Sequence, residues 1–116
     1  MKIFRIDDLK STERPWGQLG NFGEQAIPEK AKTVGFWYPR IPPNGKLKAH
    51  AHKEQLEFMY FLNPAKVKCG KETYTMSPGD VLMAEPGDFH ELAAGPAGLT
   101  LFVVKMPNLP GDTVYE

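Results

Sequence analysis

The stretch that decides the fold spans residues 46–62 and reads KLKAHAHKEQLEFMYFL. The alternating apolar and polar residues of 46–52 and the apolar, aromatic-rich run over 57–62 predict two β-strands. His50 and His52 lie two residues apart in the first of them. Because residues at this spacing in a strand point to one face, about 6.6–6.8 Å apart, both imidazoles are able to reach a single ion.

Glu57 opens the second predicted strand, five residues after His52. Met59 and Phe61 share its face of the strand, and the opposite face is also apolar, with Phe58, Tyr60 and Leu62. A strand with two apolar faces belongs in the middle of a packed barrel or at a subunit contact, so Glu57 is expected in a poorly solvated place. An ionised carboxylate there needs a partner, which a divalent cation supplies directly.

The third histidine of the chain, His90, follows the turn Glu85–Asp88 and opens another predicted strand. A single histidine is usually a solvated surface side chain, and His50 with His52 alone is a weak signal. The interpretation therefore depends on the combination of a His-x-His pair, an acid five residues later and a further histidine after a Pro-Gly turn.

Outside this stretch, eleven glycines and eleven prolines leave little room for helices and predict an all-β chain. Nine short strands separated by turn residues favour a sandwich or barrel such as a jelly roll. Besides 46–52 and 57–62, the predicted strands are 2–6, 33–41, 66–69, 72–76, 81–84, 89–92 and 99–106. Asn63 and Pro64 are expected to close a hairpin between two of them.

The length of 116 residues predicts a single domain over 1–116. Pro15, Gly17 and Gly20 favour a loop over 7–32, where a short helix is the alternative, and the tail 107–116 is expected to be extended or packed on the barrel or a partner. Fourteen basic residues balance fourteen acidic ones, so neither nucleic acid nor a membrane is expected as a partner. The lone Cys69 forms no internal disulfide, and we expect a cytoplasmic protein.

The motifs around these residues resemble those of the cupin superfamily, over residues 33–106. The first cupin motif contains His-x-His, three or four residues and Glu, which His50, His52 and Glu57 match. In the second motif, a glycine, a Pro-x-Gly turn and a histidine correspond to Gly79, Gly87 and His90. The resemblance implies a small single-domain cupin of the RmlC-like type, with a double-stranded β-helix (jelly-roll) barrel. It also implies that His50, His52, Glu57 and His90 are metal ligands.

Four positions depart from the cupin motifs, and none of them is a ligand. Asn44 stands where the first glycine is expected, but asparagine tolerates the left-handed backbone conformation at modest cost. Pro64 replaces the glycine that ends the first motif, Glu85 takes the proline position, and Ala94 replaces the final asparagine.

Three imidazoles and one carboxylate suit one divalent transition metal ion, Fe, Mn, Ni, Co, Zn or Cu, over Ca or Mg. We expect a mononuclear metal cupin acting on a small organic molecule, with oxygenase chemistry on an enol or dicarbonyl substrate as the first hypothesis. A sugar or sugar-phosphate isomerase is an alternative, supported by Lys46, Lys48 and the segment Arg14–Gly17, which resembles part of mannose-6-phosphate isomerase-type domains. A non-catalytic small-molecule binding or sensor domain is another.

Two further expectations concern surfaces. Trp37, Tyr38 and Arg40 precede the ligand strand and are candidates for a platform, a proton donor and an anion clamp. The apolar face formed by Phe58, Tyr60 and Leu62 would remain exposed on a single small barrel unless the N-terminal residues 7–32 or another subunit cover it, and a homodimer is predicted.

Overall fold

The computed structural model describes residues 1–116, and most of its strands form two antiparallel sheets. The first sheet has six strands, in the order β1-β10-β7-β12-β4 with β5 also paired to β12. Its strands are β1 (Lys2–Phe4), β4 (Gly35–Trp37), β5 (Arg40–Ile41), β7 (Leu56–Phe61), β10 (Val81–Ala84) and β12 (Leu99–Met106).

The second sheet has five strands in the order β13-β6-β11-β8-β9. These are β6 (Lys46–His52), β8 (Ala65–Cys69), β9 (Glu72–Met76), β11 (His90–Ala94) and β13 (Thr113–Tyr115). A separate hairpin pairs β2 (Lys10–Arg14) with β3 (Gly17–Asn21), and the only helical element is a 3₁₀ turn at Ile6–Asp8. No helix has the length and apolar character that crossing a membrane requires.

The hydrophobic core lies between the two sheets, because strands of both contribute to it. Met59 and Phe61 of β7 and Leu101 of β12 pack in one buried cluster with Val67 of β8 and Leu92 of β11. Alternate residues of these strands point inward, as the period of a half-buried strand requires. The predictions of an all-β chain and a jelly roll are confirmed.

The predicted strand 33–41 is divided into β4 and β5 in the structure. Pro39 interrupts it because proline has no N–H to donate to a sheet ladder. Both pieces nevertheless pair with β12, and the Pro39 carbonyl still accepts the N–H of Leu101 at 3.1 Å.

The prediction of a hairpin around Asn63 and Pro64 is wrong, since β7 and β8 belong to different sheets. The connection passes from one sheet to the other, and the Asn63 side chain ties it to β12 by accepting the Thr100 N–H at 2.8 Å. Asn44, by contrast, has the expected left-handed backbone, with φ of 60°.

The prediction of a loop or short helix is also wrong for residues 10–21, which form the β2–β3 hairpin. Pro15 occupies its two-residue turn, where no ladder N–H is needed. Gly20 in β3 leaves room for the Leu9 side chain, which would have to shift if residue 20 carried a Cβ. Glycine and proline therefore mark contacts and a turn here, not the absence of strands.

A β-bulge in β6 changes which residues face the core. Leu47 pairs with Leu92, but His50 pairs with His90, so β6 has one extra residue between the two pairs. Strict alternation would place Lys46 and Lys48 on the face of His50. The bulge instead leaves both lysines exposed, and Lys46 forms an ion pair with Glu91 at 2.8 Å.

Asp80 fastens the N-terminal segment to the first sheet. Its Oδ1 accepts the N–H of Ile6 at 2.8 Å, and its Oδ2 accepts the N–H of Ser77 at 2.8 Å and a guanidinium N–H of Arg5 at 2.9 Å. Burial by itself raises the pKa of this carboxyl, but these donors outweigh burial and hold the pKa below its usual value.

We expect Asp80→Asn to destabilise the protein by about 1–3 kcal/mol, because the amide turns an acceptor into a donor that faces an N–H. The contribution of Asp80 is fully present above the unfolded carboxyl pKa of about 3.9 and is lost as pH falls through the lower folded value. Urea unfolding at pH 7 and pH 3 checks this.

The exposed Asp7→Asn serves as the matched control for this measurement. Equal stabilities of Asp80→Asn and Asp7→Asn at pH 7 would show that the buried carboxylate has no anchoring role.

Candidate metal centre

The four residues predicted as ligands meet at one end of the gap between the sheets. His50 and His52 are on β6 and His90 is on the adjacent β11, with His90 directly opposite His50 in the ladder. Glu57 is on β7, in the other sheet. The cluster therefore depends on both sheets, and the β6 bulge gives His50 the inward direction that it needs.

The side chains of the cluster are close together and withdrawn from solvent. One possible ligand atom from each residue lies within 4.8 Å of the other three. The accessible fraction is 9% for His50, 3% for His52, 5% for Glu57 and 0% for His90. A first-row ion about 2.1 Å from each ligand separates ligand atoms by about 3–4.2 Å, so small side-chain movements close the cluster on an ion.

Three polar atoms at the centre of the cluster have no hydrogen-bond partner: His52 Nε2, His90 Nε2 and Glu57 Oε1. Glu57 Oε1 lies 3.3 Å from the first nitrogen and 3.2 Å from the second, but neither contact has hydrogen-bond geometry. Buried polar atoms are rarely left without a partner. Lone pairs that converge in this way fit a cation, and the residues present are suitable ligands for one.

Backbone carbonyls orient two of the imidazoles. His50 Nδ1 lies 2.7 Å from the Lys48 carbonyl oxygen, and His90 Nδ1 lies 2.9 Å from that of Asp88. A carbonyl oxygen only accepts, so each Nδ1 carries the proton. In the neutral ring, Nε2 then keeps its lone pair free for an ion.

The Nδ1 atom of His52 lies near Gln55, on the β6–β7 connection, and near Thr113, in the C-terminal tail. Gln55 Nε2 lies 3.3 Å and Thr113 Oγ1 lies 3.4 Å from His52 Nδ1. The N–H of Leu109 donates to Gln55 Oε1 at 2.9 Å, which fixes the amide with its nitrogen toward His52. The Gln55 amide can only donate here, so Nδ1 accepts from it in the Nε2–H tautomer. In the Nδ1–H tautomer, which leaves Nε2 free for an ion, the Thr113 hydroxyl is the acceptor for the Nδ1 proton.

Asp112, in the C-terminal tail, is hydrogen-bonded to the connection between β6 and β7. Its Oδ2 accepts the backbone N–H groups of Glu54 and Gln55 at 2.9 and 3.0 Å. These bonds hold the tail against the β6–β7 connection. Burial raises the pKa of Asp112, but the two N–H donors outweigh it and lower the pKa below its usual value, so the carboxylate is an anion at neutral pH.

The protonation states of the cluster suit metal binding. Burial lowers the pKa of His50, and the hydrogen bond to the Lys48 carbonyl only partly offsets this. Burial raises the pKa of Glu57, but His52 and His90 beside it outweigh burial and hold the pKa well below its usual range. At neutral pH the cluster therefore offers a neutral His50 and an anionic Glu57.

Several other residues singled out from the sequence lie away from the cluster. Arg40 is 5.3 Å from the ring centroid of Tyr38, and it pairs with Thr100, five residues before Lys105 along β12. The segment Arg14–Gly17 forms the exposed tip of the β2–β3 hairpin. Trp37 is the exception, because its ring lies beside the ammonium of Lys105, and this ammonium also lies near the Glu57 carboxylate.

Sequence reasoning missed Lys105, although its position contains a signal. Lys105 continues the inward row of β12 after Leu99, Leu101 and Val103, and it pairs with Glu57 in the ladder. Its Nζ lies 3.8 Å from Glu57 Oε2 and 5.5 Å from the Trp37 ring centroid. A lysine in an otherwise apolar inward row predicts a buried acid or a ligand nearby.

Comparison with solved structures shows similarity to cupin and double-stranded β-helix proteins. An uncharacterized conserved protein with a double-stranded β-helix domain from Klebsiella pneumoniae gives a TM-score of 0.60 at 20% identity, with 71% of each chain covered. A cupin-superfamily sugar phosphate isomerase from Silicibacter pomeroyi gives 0.62 at 22% identity, over 73% of this chain and 57% of that one.

A DMSP lyase from Ruegeria pomeroyi gives a TM-score of 0.64 at 17% identity, over 73% of this chain and 44% of that one. The chain thus spans about half the length of these last two proteins. At such identities the similarity establishes the fold alone. None of the curated proteins matches the sequence.

The family model described as the AraC-like ligand binding domain matches residues 42–109. This range holds all four residues of the cluster and Lys105, and it covers more than half of the chain. The chain belongs to the family of AraC-like ligand binding domains within the cupin superfamily.

Proposed function

We propose that this protein is a mononuclear metal-binding cupin that acts on a small organic molecule, with His50, His52, Glu57 and His90 as the ligands. The observation that carries the proposal is the set of three buried atoms without hydrogen-bond partners, which point at one another from two sheets. Without a cation, burying a carboxylate against these imidazoles is costly. A bound cation would give a partner to each of the three unpaired atoms.

Three nitrogen ligands and one oxygen ligand suit a divalent transition metal, which is Fe, Mn, Ni, Co, Zn or Cu. Four protein ligands leave two positions of a six-coordinate ion for a substrate with two oxygen atoms. The ion, when bound, supplies Lewis-acid polarisation of those oxygens. The chain orients the ligands and buries them away from solvent. It also places one positively charged side chain, Lys105, beside the Glu57 carboxylate.

We favour oxygen-dependent cleavage of an enol or dicarbonyl substrate, because such a molecule offers two oxygens at the spacing of adjacent coordination positions. The second candidate is a ligand-binding domain without catalysis, which the description of the family favours. The isomerase alternative loses support from Lys46, which is paired with Glu91, and from Arg14–Gly17 at the exposed hairpin tip.

The metal assignment predicts about one ion per chain in the wild-type protein, and a large loss of affinity in Glu57→Gln. The amide keeps the shape of the side chain but removes the one anionic ligand. Elemental analysis after equilibration with Co²⁺, followed by competition with a chelator, measures the change. Affinity of the wild-type protein should also decline at acidic pH, where protons compete for imidazole, and because burial lowers the pKa of His50 this ligand is protonated only below its reference value of about 6.5.

Glu91→Gln is the matched control, because Glu91 is next to His90 on β11 but pairs with Lys46 outside the cluster. It should bind metal as the wild-type protein does. Unchanged affinity in Glu57→Gln would remove Glu57 from the ligand set and leave a three-histidine site.

Catalysis and binding are separated by loading the protein with Fe²⁺ under nitrogen, adding a 1,3-dicarbonyl such as acetylacetone and then admitting air. An oxygenase consumes oxygen in proportion to substrate lost, and the consumption disappears in Glu57→Gln. A binding domain shows a thermal shift with the same compound that grows with RT ln(1 + [L]/Kd), with no oxygen uptake. The absence of both oxygen uptake and a thermal shift would reject 1,3-dicarbonyl compounds as the ligand class.

We further propose that the protein is a homodimer through the outer face of the first sheet. Phe36 and Phe102 stack there with ring centroids 6.1 Å apart, and Tyr60 lies opposite Phe102 in the ladder. Phe36 is 65% exposed and Phe102 is 42% exposed. Val104 and Phe58 extend the patch without adding charge. An uncharged aromatic patch is complementary to a second copy of itself.

Sedimentation should therefore give a mass of two chains, and Phe102→Lys should give a monomer of 13.0 kDa. Phe89→Ser changes a similarly exposed phenylalanine that lies beside the second sheet and should leave the dimer intact. A wild-type monomer at high protein concentration would reject the interface.

A further inference from the structure

Lys105 has an unusual position for a lysine. It lies on the inward row of β12, its side chain is only 21% exposed, and its one nearby acid is Glu57. Nζ is 3.8 Å from Glu57 Oε2, which is beyond an ordinary hydrogen bond. Since a largely buried ammonium is costly without partners, the contact with Glu57 alone leaves Lys105 poorly compensated.

The two oxygens of Glu57 face different groups. Oε1 faces the other candidate ligands and lies 3.3 Å from His52 Nε2 and 3.2 Å from His90 Nε2. Oε2 lies toward Lys105. When Oε1 binds an ion, the negative charge of the carboxylate is drawn toward that ion. Lys105, next to the other oxygen of the same carboxylate, would then keep a positive charge with little compensation.

Trp37 forms a fixed wall beside Lys105. Its Nε1–H donates to Asn108 Oδ1 at 3.1 Å, and Lys105 Nζ lies 5.5 Å from the ring centroid. Gly35 makes this possible, because a Cβ at that position would lie 2.8 Å from Trp37 Nε1 and would collide with the Asn108 amide. The hydrogen bond to Asn108 thus favours one orientation of the indole, with the ammonium over its ring.

No second acid compensates Lys105 from the strands on either side. On the β4 side the neighbours are Gly35, Phe36 and Trp37, and on the β7 side the only charged residue is Glu57. A lysine whose side chain keeps some exposure, whose ammonium lacks a hydrogen-bonded anion and which adjoins the cluster of candidate ligands is suited to receive an anion from solution.

We propose that Lys105 is a specificity-determining residue that receives an oxyanion group of the ligand, with the Trp37 ring as the adjacent wall. This inference rests on the proposed metal site and assigns its ligand to the class of small organic anions, carboxylate or phosphate. The ligand binds at the cluster while its anionic oxygen accepts N–H bonds from Nζ. Lys105 is then a binding residue, not merely a counter-ion for Glu57.

The experiment uses Co²⁺-loaded protein, because the visible absorption of the ion reports ligands that enter its coordination. Acetate and inorganic phosphate serve as anionic probes, and imidazole at pH 8 serves as a neutral one. In Lys105→Met we expect both anions to bind at least about tenfold more weakly, which is the size of a lost charge-assisted hydrogen bond. Imidazole should bind as in the wild-type protein.

Three further variants complete the comparison. Lys105→Gln removes the charge but keeps a polar end, and it repeats the loss if Lys105→Met does not fold. Lys105→Arg keeps the charge and should retain most of the affinity for both anions. Lys66→Met removes an exposed lysine of β8 and should bind all three probes normally.

The affinity for Co²⁺ itself gives a readout independent of any ligand. Removing the ammonium that competes for Glu57 should raise Co²⁺ affinity in Lys105→Met while lowering anion affinity. Unchanged anion affinity in a fully loaded Lys105→Met protein overturns the proposal and leaves Lys105 as a counter-ion. Wild-type protein that binds imidazole but neither anion also overturns it, whereas wild-type protein that takes up no Co²⁺ refutes the metal site itself.

Discussion

The burial of the Glu57 carboxylate between two sheets is the constraint on which the rest of the site depends. An anion at 5% exposure is compatible with a stable fold only if positive charge or donors surround it. The protein alone meets this requirement only in part, because Lys105 Nζ lies 3.8 Å from Oε2 and the Nε2 atoms of His52 and His90 approach Oε1 without hydrogen-bond geometry. The arrangement leaves lone pairs of two imidazoles and one carboxylate oxygen directed at a common point.

The support of this cluster is largely backbone chemistry. Carbonyl oxygens of Lys48 and Asp88 orient two imidazoles, and backbone N–H groups hold Asp112 and the amide of Gln55. Backbone groups cannot change rotamer, so they are more rigid partners than side chains. This rigidity fits a site whose ligand atoms must keep their separations before any ion or organic molecule enters.

Alternation of apolar residues made much of the fold and of the cluster predictable. In 57–62, the period of two placed Glu57 with Met59 and Phe61 inside and Tyr60 with Leu62 outside, as observed. Alternation fails wherever a strand contains a bulge, and the bulge in β6 is the reason that strict alternation misplaces Lys46 and Lys48.

The pairing of strands that are distant in the sequence was the other feature that could not be predicted. The partner of β13 and the sheet to which β8 belongs depend on contacts between distant segments, which no local pattern contains. Lys105 was overlooked for a related reason, because its significance depends on lying opposite Glu57 in the ladder. In the hairpin 10–21, glycine and proline concealed a strand pair because their local preferences resemble those of loops.

Strand β13 has a consequence for the protection of the sheet as a whole. It is a short edge strand, paired on one side only, and it covers the backbone edge of β6 where Thr113 lies opposite His52. If β13 detaches, the backbone edge of β6 becomes open, and an open edge is a template for pairing with another chain. His52 and Thr113 would link the two features, because an ion bound to His52 would leave its Nδ1–H to Thr113 and so favour the paired edge.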